Sequence, residues 1–337
     1  MEIVVLLFII SLLLSLSQPF TEAQLVGVCY GRIADNLPME KDVIDLYKSN
    51  GIGLMRLYDP DLMALKALQG SNIKLMLGVP NEKIQSFASS NQLDAMQWIE
   101  TYVAPFAPSI KYIVVGNEIH PSDHQSVFVE PAMKNVLKAL NSYKLSNQIK
   151  VSTSIDTTLI INSYPPSNGQ FSDTSYSYIT PIIKFLTNNE SPLLVNIYPY
   201  FAYVGNEQSI SLNYALFTSN GTVVNDKGLN YQNLFDAMVD SVYASLRKVG
   251  APDMKIVVSE TGWPSKGGDA ATVENAENYY RNLLKHVKNG TPLKPQEIET
   301  YLFAMFDENK KLGPDSERNF GLFTPEKYPK YGKLNFI

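Results

Sequence analysis

Two carboxylates in this sequence sit where chemistry is done. In Lys255-Ile-Val-Val-Ser-Glu-Thr-Gly-Trp-Pro264, the β-branched run Ile256, Val257, Val258 leads into Ser259 and Glu260. Such a run reads as a strand buried on both faces, and Thr261-Gly262-Trp263-Pro264 breaks it. Tyr112-Ile-Val-Val-Gly-Asn-Glu118 repeats the design, with Gly116 and Asn117 ahead of the acid. One strand-end carboxylate is commonly half of a structural ion pair. Two of the same design suggest two carboxyl groups converging on one site. Glycoside hydrolysis needs that pair: one acid to protonate the leaving oxygen, one carboxylate to attack or to activate water.

Other catalysts have little support. Cys29 is the only cysteine, in an apolar run that suits a buried inert thiol, so a secreted product would have no internal disulfide. His120, His124 and His286 are not at metal-ligand spacing with it, and no metal is expected. Neither a G-x-G-x-x-G after the first strand nor a P-loop pattern is present, so no nucleotide cofactor is implied. With net charge −5 and no basic cluster, a nucleic-acid partner is not expected.

Eight apolar runs must position these groups: Val26 to Tyr30, Leu54 to Tyr58, Ile73 to Val79, Tyr112 to Val115, Ile149 to Thr153, Leu193 to Tyr200, Lys255 to Ser259 and Glu299 to Phe306. Helical periodicity fills the intervals, as with Val43, Leu46 and Tyr47 or Leu62, Leu65 and Leu68. Eight such units without a linker predict a single-domain (β/α)8 TIM barrel, with an open doubly wound sheet as the runner-up. The segment from Phe201 to about Lys227 lacks helical period and predicts an excursion beside the site. In a barrel the site forms where strands run into their following loops. Those positions hold Tyr30, Arg56, Tyr58, Asn117, Glu118, Asn196, Tyr198, Tyr200, Glu260, Trp263 and Glu308. Carboxylates, amides and aromatics dominate, and aromatic faces suit the C–H surfaces of sugars.

The amino terminus reads as a targeting segment. Ile3 to Leu16 is interrupted only by Ser11 and Ser15, and Thr21-Glu22-Ala23 is a small-residue cleavage pattern before Gln24. Glu2 departs from it, standing where a basic residue is usual. The run falls short of the roughly 20 residues a membrane span needs. A cleaved signal peptide over 1–23 and a catalytic domain over 24–337 are therefore expected, with no membrane anchor. The acceptor tripeptides Asn220-Gly-Thr222, Asn189-Glu-Ser191 and Asn289-Gly-Thr291 fit a secretory route, the last two weakened by a following proline.

Val-Gly-Asn-Glu118 and Ser-Glu260-Thr-Gly-Trp-Pro, joined by Gly-Val-Cys-Tyr-Gly-Arg32 and Phe-Asp-Glu-Asn-Lys310, resemble the plant endo-β-1,3-glucanases of glycoside hydrolase family 17. The resemblance runs from about Gln24 to the end and implies a (β/α)8 barrel that hydrolyses with retention. It assigns Glu118 as acid/base and Glu260 as nucleophile, and matches the family's further charged residues to Glu308, Lys311 and Glu317. The last lies in Glu317-Arg-Asn-Phe-Gly-Leu-Phe323, also typical of the family. Asn117 is expected to bond the sugar 2-OH, and Tyr58, Tyr198 and Trp263 to form walls. Glu308 with Lys311 is either a charge-setting pair behind them or a structural ion pair. Arg56 either orients a carboxylate or fills the polar mouth.

The chain is expected to act as a monomer on β-glucan polysaccharide such as fungal wall glucan or callose, in defence or wall remodelling. Leu334-Asn-Phe-Ile337 carries none of the extensions that some family members have, so secretion to the cell exterior is the expectation. A mixed β-1,3;1,4-glucan hydrolase, a transglycosylase and a glucan-binding protein with incidental catalysis are the competing readings.

Overall fold

The computed structural model describes residues 25–336; the expected leader lies outside the described residues. Eight parallel strands close into a barrel: β1 (Val26–Cys29), β2 (Leu54–Leu57), β3 (Lys74–Val79), β4 (Ile110–Asn117), β5 (Lys150–Asp156), β8 (Leu193–Asn196), β11 (Ile256–Thr261) and β12 (Thr300–Leu302). The four remaining strands form two small hairpins outside it: β6 (Ile160–Ile161) with β7 (Gln170–Phe171), and β9 (Val224–Asp226) with β10 (Leu229–Tyr231). β1 pairs with β2 on one side and with β12 on the other, which seals the ring. The expected (β/α)8 TIM barrel is therefore the fold.

Helices cover the outer face of the strands, so both faces of each strand are buried. That is why the strand sequences are continuous apolar runs instead of alternating ones. Each helix buries one stripe; Glu40–Ser49, for example, turns Val43, Ile44 and Tyr47 inward. Side chains fix several helix starts: Asp61, Ser172, Asn233 and Thr272 each accept a backbone N–H three residues on. At the amino-terminal end of the strands, the buried carboxylate of Glu299 accepts from Lys111 Nζ (2.8 Å), Tyr112 Oη (3.1 Å) and Tyr301 Oη (3.1 Å). That cluster closes the amino-terminal end of the barrel and leaves the carboxylate satisfied.

Three local expectations are corrected. The stretch from Phe201 onward is not irregular throughout: helices Pro199–Val204 and Leu212–Ala215 and the β9–β10 hairpin organise it. These elements are too short for periodicity to reveal. Tyr164 to Thr174, rich in proline, serine and glycine, reads in the sequence as a loop; it contains the turn Pro166–Asn168 and strand β7, and the next helix already starts at Asp173. The last barrel strand is regular only over Thr300–Leu302, after which the chain bends.

Candidate active site

Glu260 reaches the mouth because β11 is irregular. Its register against β8 shifts between Val258 and Glu260, so one extra residue enters the strand. Ser259 and Glu260, neighbours that a regular strand would point to opposite faces, then both face inward. Ser259 Oγ donates to Asn196 Oδ1 (2.8 Å), while the Glu260 carboxylate receives three donors. Arg56 Nη1 (2.9 Å) and Tyr58 Oη (2.8 Å) bond to Oε1, and Tyr198 Oη bonds to Oε2 (2.7 Å).

Glu118 is held differently. Gly116 has φ +83° and Glu118 itself φ +53°, a left-handed turn that non-glycine residues seldom adopt. A Cβ on Gly116 would come within 2.8 Å of Ile84 Cδ1. Asn81 pins the turn by accepting from Asn117 N (2.9 Å) and donating to Asn117 O (3.0 Å), and Glu118 N donates to Ser154 O (2.9 Å). The Glu118 carboxyl takes Asn196 Nδ2 at 2.8 Å.

Asn196 thus joins the two acids. Its Oδ1 accepts from Arg56, Ser154 and Ser259, and its Nδ2 donates to Asn117 Oδ1 and Glu118 Oε1. Arg56, only 2% exposed, donates in turn to Glu260, Asn117 Oδ1 (2.7 Å), Asn196 and Ser259 O, and lies over the Tyr58 ring at 4.6 Å. A buried guanidinium with this many acceptors is compensated in place and has little freedom to move. Arg56 therefore orients a carboxylate. It and Asn196 carry more of the site than their type suggested. The available signal was a polar residue inside the apolar runs Leu54-Met-Arg-Leu and Leu193-Leu-Val-Asn.

The electrostatics differ between the acids. Burial, then the charge of Glu260 and, less strongly, that of Asp156, push Glu118 up to about 7, with Asn196 and Arg56 opposing. At neutral pH a large share of Glu118 therefore holds a proton. Glu260 faces one guanidinium and two phenols, all of them donors.

Tyr58 meets Phe303, and Tyr198 meets Phe303 and Phe320, edge to face with ring centroids 5.9–6.4 Å apart; Phe303 and Phe320 are 5.6 Å apart, and Phe201 joins at 5.3 Å from Tyr198. Phe303 and Phe320 were missed because they follow the last regular strand. Trp263 has no exposed surface, so the expectation that it forms a wall is corrected. Its indole N–H donates to Ala270 O, and its ring backs Tyr200, 5.1 Å away. Tyr200 also departs from the run: β8 ends at Asn196, Pro199 opens a helix, and only Tyr198 continues toward the acids.

Glu308 is 4% exposed, accepts from Ile33 N (2.8 Å) and is raised chiefly by burial. Lys311 does not pair with it. Its Nζ meets Glu317 Oε2 at 3.0 Å and lies 4.1 Å from the Phe303 ring centroid, tying the charged residues to the aromatic wall. Tyr30 packs against Phe306 beneath the mouth.

The model of the family described as "Glycosyl hydrolases family 17" matches residues 26–336. A glucan endo-1,3-beta-glucosidase of Vitis vinifera is 55% identical over 92% of this chain and 91% of its own. The basic vacuolar isoform of Nicotiana plumbaginifolia is 52% identical over 96% and 90%. Among solved structures, CJP38, a beta-1,3-glucanase and allergen of Cryptomeria japonica pollen, is 44% identical with a TM-score of 0.88 and covers 92% of this chain and 98% of its own. With fold and similarity in agreement, the chain belongs to glycosyl hydrolase family 17.

Proposed function

We propose that this protein is a retaining endo-β-1,3-glucanase in which Glu260 is the nucleophile and Glu118 the acid/base. The observation that carries the reading is the joint suspension of the two acids on Asn196 and Arg56, with Glu118 pushed up to about 7. The β-1,3 linkage comes from the names of the relatives.

In the first step a Glu260 oxygen bonds to the anomeric carbon as the glycosidic bond breaks, and the departing oxygen takes the proton of Glu118. Glu118, now ionised, then takes a proton from water, whose oxygen bonds to the anomeric carbon and releases Glu260. The Asn117 side chain uses only its Oδ1 among the described residues, which leaves its NH2 to donate to the sugar 2-OH. The rings of Tyr58 and Tyr198 flank the sugar, while Glu308, Lys311 and Glu317 set the charge beside them. No cofactor enters these steps.

Residues 1–23 are proposed to direct secretion, with vacuolar relatives marking the other destination of that route. Asn220 is exposed and is proposed to carry a glycan; the chain is proposed to be a monomer. No helix among the described residues is long and apolar enough to cross a membrane.

Reducing-sugar release from laminarin and from barley mixed-linkage glucan tests the function, with Glu260→Gln alongside. Laminarin hydrolysis reduced at least a thousandfold in the variant is expected. Hydrolysis mainly of the mixed glucan would overturn the substrate and keep the mechanism. A fully active Glu260→Gln would overturn the nucleophile.

A further inference from the structure

At the ends of β4 and β5, next to Glu118 in the chain, lies a cluster of ionisable side chains that the steps above do not use. His120 follows the left-handed turn by two residues. Its backbone N–H donates to Asp123 Oδ2 (2.8 Å), and its ring Nε2 lies 2.9 Å from Asp156 Oδ2 and 3.0 Å from Thr158 Oγ1. The other ring nitrogen is 3.7 Å from Asp123 Oδ2, so both nitrogens face a carboxylate. Asp156 is the last residue of β5 and is held by its own next turn, Oδ1 accepting from Thr158 N (2.7 Å). From the helix Asp173–Asn188, the Tyr178 hydroxyl is buried without a hydrogen-bond partner, and the charges of Asp123 and Asp156 act on it. Asp156 therefore has side-chain partners of its own, and its charge also acts on Glu118, whose N–H bonds to Ser154 O two residues earlier on β5.

We propose that His120 and Asp156 form a clip between the ends of β4 and β5 that positions the acid/base, His120 holding the turn that carries Glu118 and Asp156 holding negative charge behind it. The clip rests on Glu118 being the acid/base. It makes His120 and Asp156 positioning residues that touch neither sugar nor reacting atoms. Four charged or polar groups act on Glu118: Asn196 from β8 by a hydrogen bond, and Glu260 from β11, Arg56 from β2 and Asp156 from β5 by their charge. Among the first three, Arg56 and Asn196 are tied into Glu260's own hydrogen bonding, so changing either would disturb both acids. Asp156 is the one through which Glu118 can be adjusted alone. A negative charge nearby favours the protonated carboxyl. Removing it should make Glu118 lose its proton at lower pH.

The test is kcat and KM on laminarin between pH 4 and 8 for the intact protein, Asp156→Asn, His120→Ala and His120→Gln, with folding checked by melting temperature. The fall of kcat/KM on the alkaline side reports the free enzyme's acid. In Asp156→Asn that fall is expected to move down by about half a pH unit. In His120→Ala, kcat should drop about tenfold with KM nearly unchanged, because a displaced proton donor costs rate more than binding. His120→Gln keeps a donor where Nε2 stands and should recover most of the loss. An unmoved alkaline fall in a folded Asp156→Asn, or a His120→Ala with undiminished kcat, overturns the clip. So does a His120→Gln no better than His120→Ala. Glu118→Gln is run beside them. If it keeps full laminarin activity, the assignment of the acid fails; if it is inactive while the other profiles stay put, the clip alone fails.

Discussion

The raised proton affinity of Glu118 costs folding stability. Its ordinary value of 4.5 is raised to about 7 in the folded protein. The folded state therefore holds the proton more tightly than the unfolded state, and stability falls as pH rises through that window. Below about pH 4.5 both states are protonated and nothing is lost. Glu118→Gln should thus melt with the parent protein at pH 4 and be more stable at pH 8, by about 3 kcal/mol. Equal melting temperatures at pH 8 would show that the folded protein tolerates the ionised acid at no cost. Glu118 and Glu260 were legible in the sequence as carboxylates closing apolar runs. Arg56 and Asn196 were only half legible: their positions could be read, but their joint hold on both acids depends on four strands meeting, which no local pattern encodes. Trp263 was misplaced for a physical reason. A bulky aromatic after a catalytic strand suits a sugar wall equally well as a packing block behind one.

Among the elements, β11 and the loop after β1 do the most to position the site. The eight strands could be read from apolar runs and helical intervals, because burial on both faces leaves a strong signal. The register shift in β11 could not, since one extra residue in a strand changes direction without changing composition. After β1, Gly31 lies against Glu308: a Cβ there would stand 2.3 Å from its Oε2. Gly31→Ala should push that carboxylate off Ile33 N and disturb the wall it sits behind. Laminarin turnover is expected to fall about tenfold while the far-ultraviolet circular dichroism is unchanged. Full activity would show that Glu308 has no part in the site.

Across the whole molecule the barrel closes only when β1 meets β12, segments from opposite ends of the chain. The charged cluster around Glu299 plugs one end, and the network joining Glu118, Asn196, Arg56 and Glu260 fills the other. The two hairpins and the short helices beyond β8 lie outside the ring. They were the least legible part because their short elements are fixed by tertiary packing more than by their own pattern.

Cys29 lies on β1, without exposed surface, its Sγ 3.5 Å from Ser259 O and its proton affinity pushed up to about 12 mainly by burial. It is the sole thiol in the sequence, which makes it a built-in clock for the seam. A disulfide reagent can reach it only when β1 parts from its neighbours, so labelling speed counts openings of the barrel. Labelling should be slow in buffer and immediate in concentrated urea, with one thiol per chain. An oligosaccharide that binds only the closed barrel, present at ten times its Kd, should slow it about tenfold. Fast labelling in buffer would mean that the first strand frays while the rest stays folded. The rate would then time the opening of one edge alone.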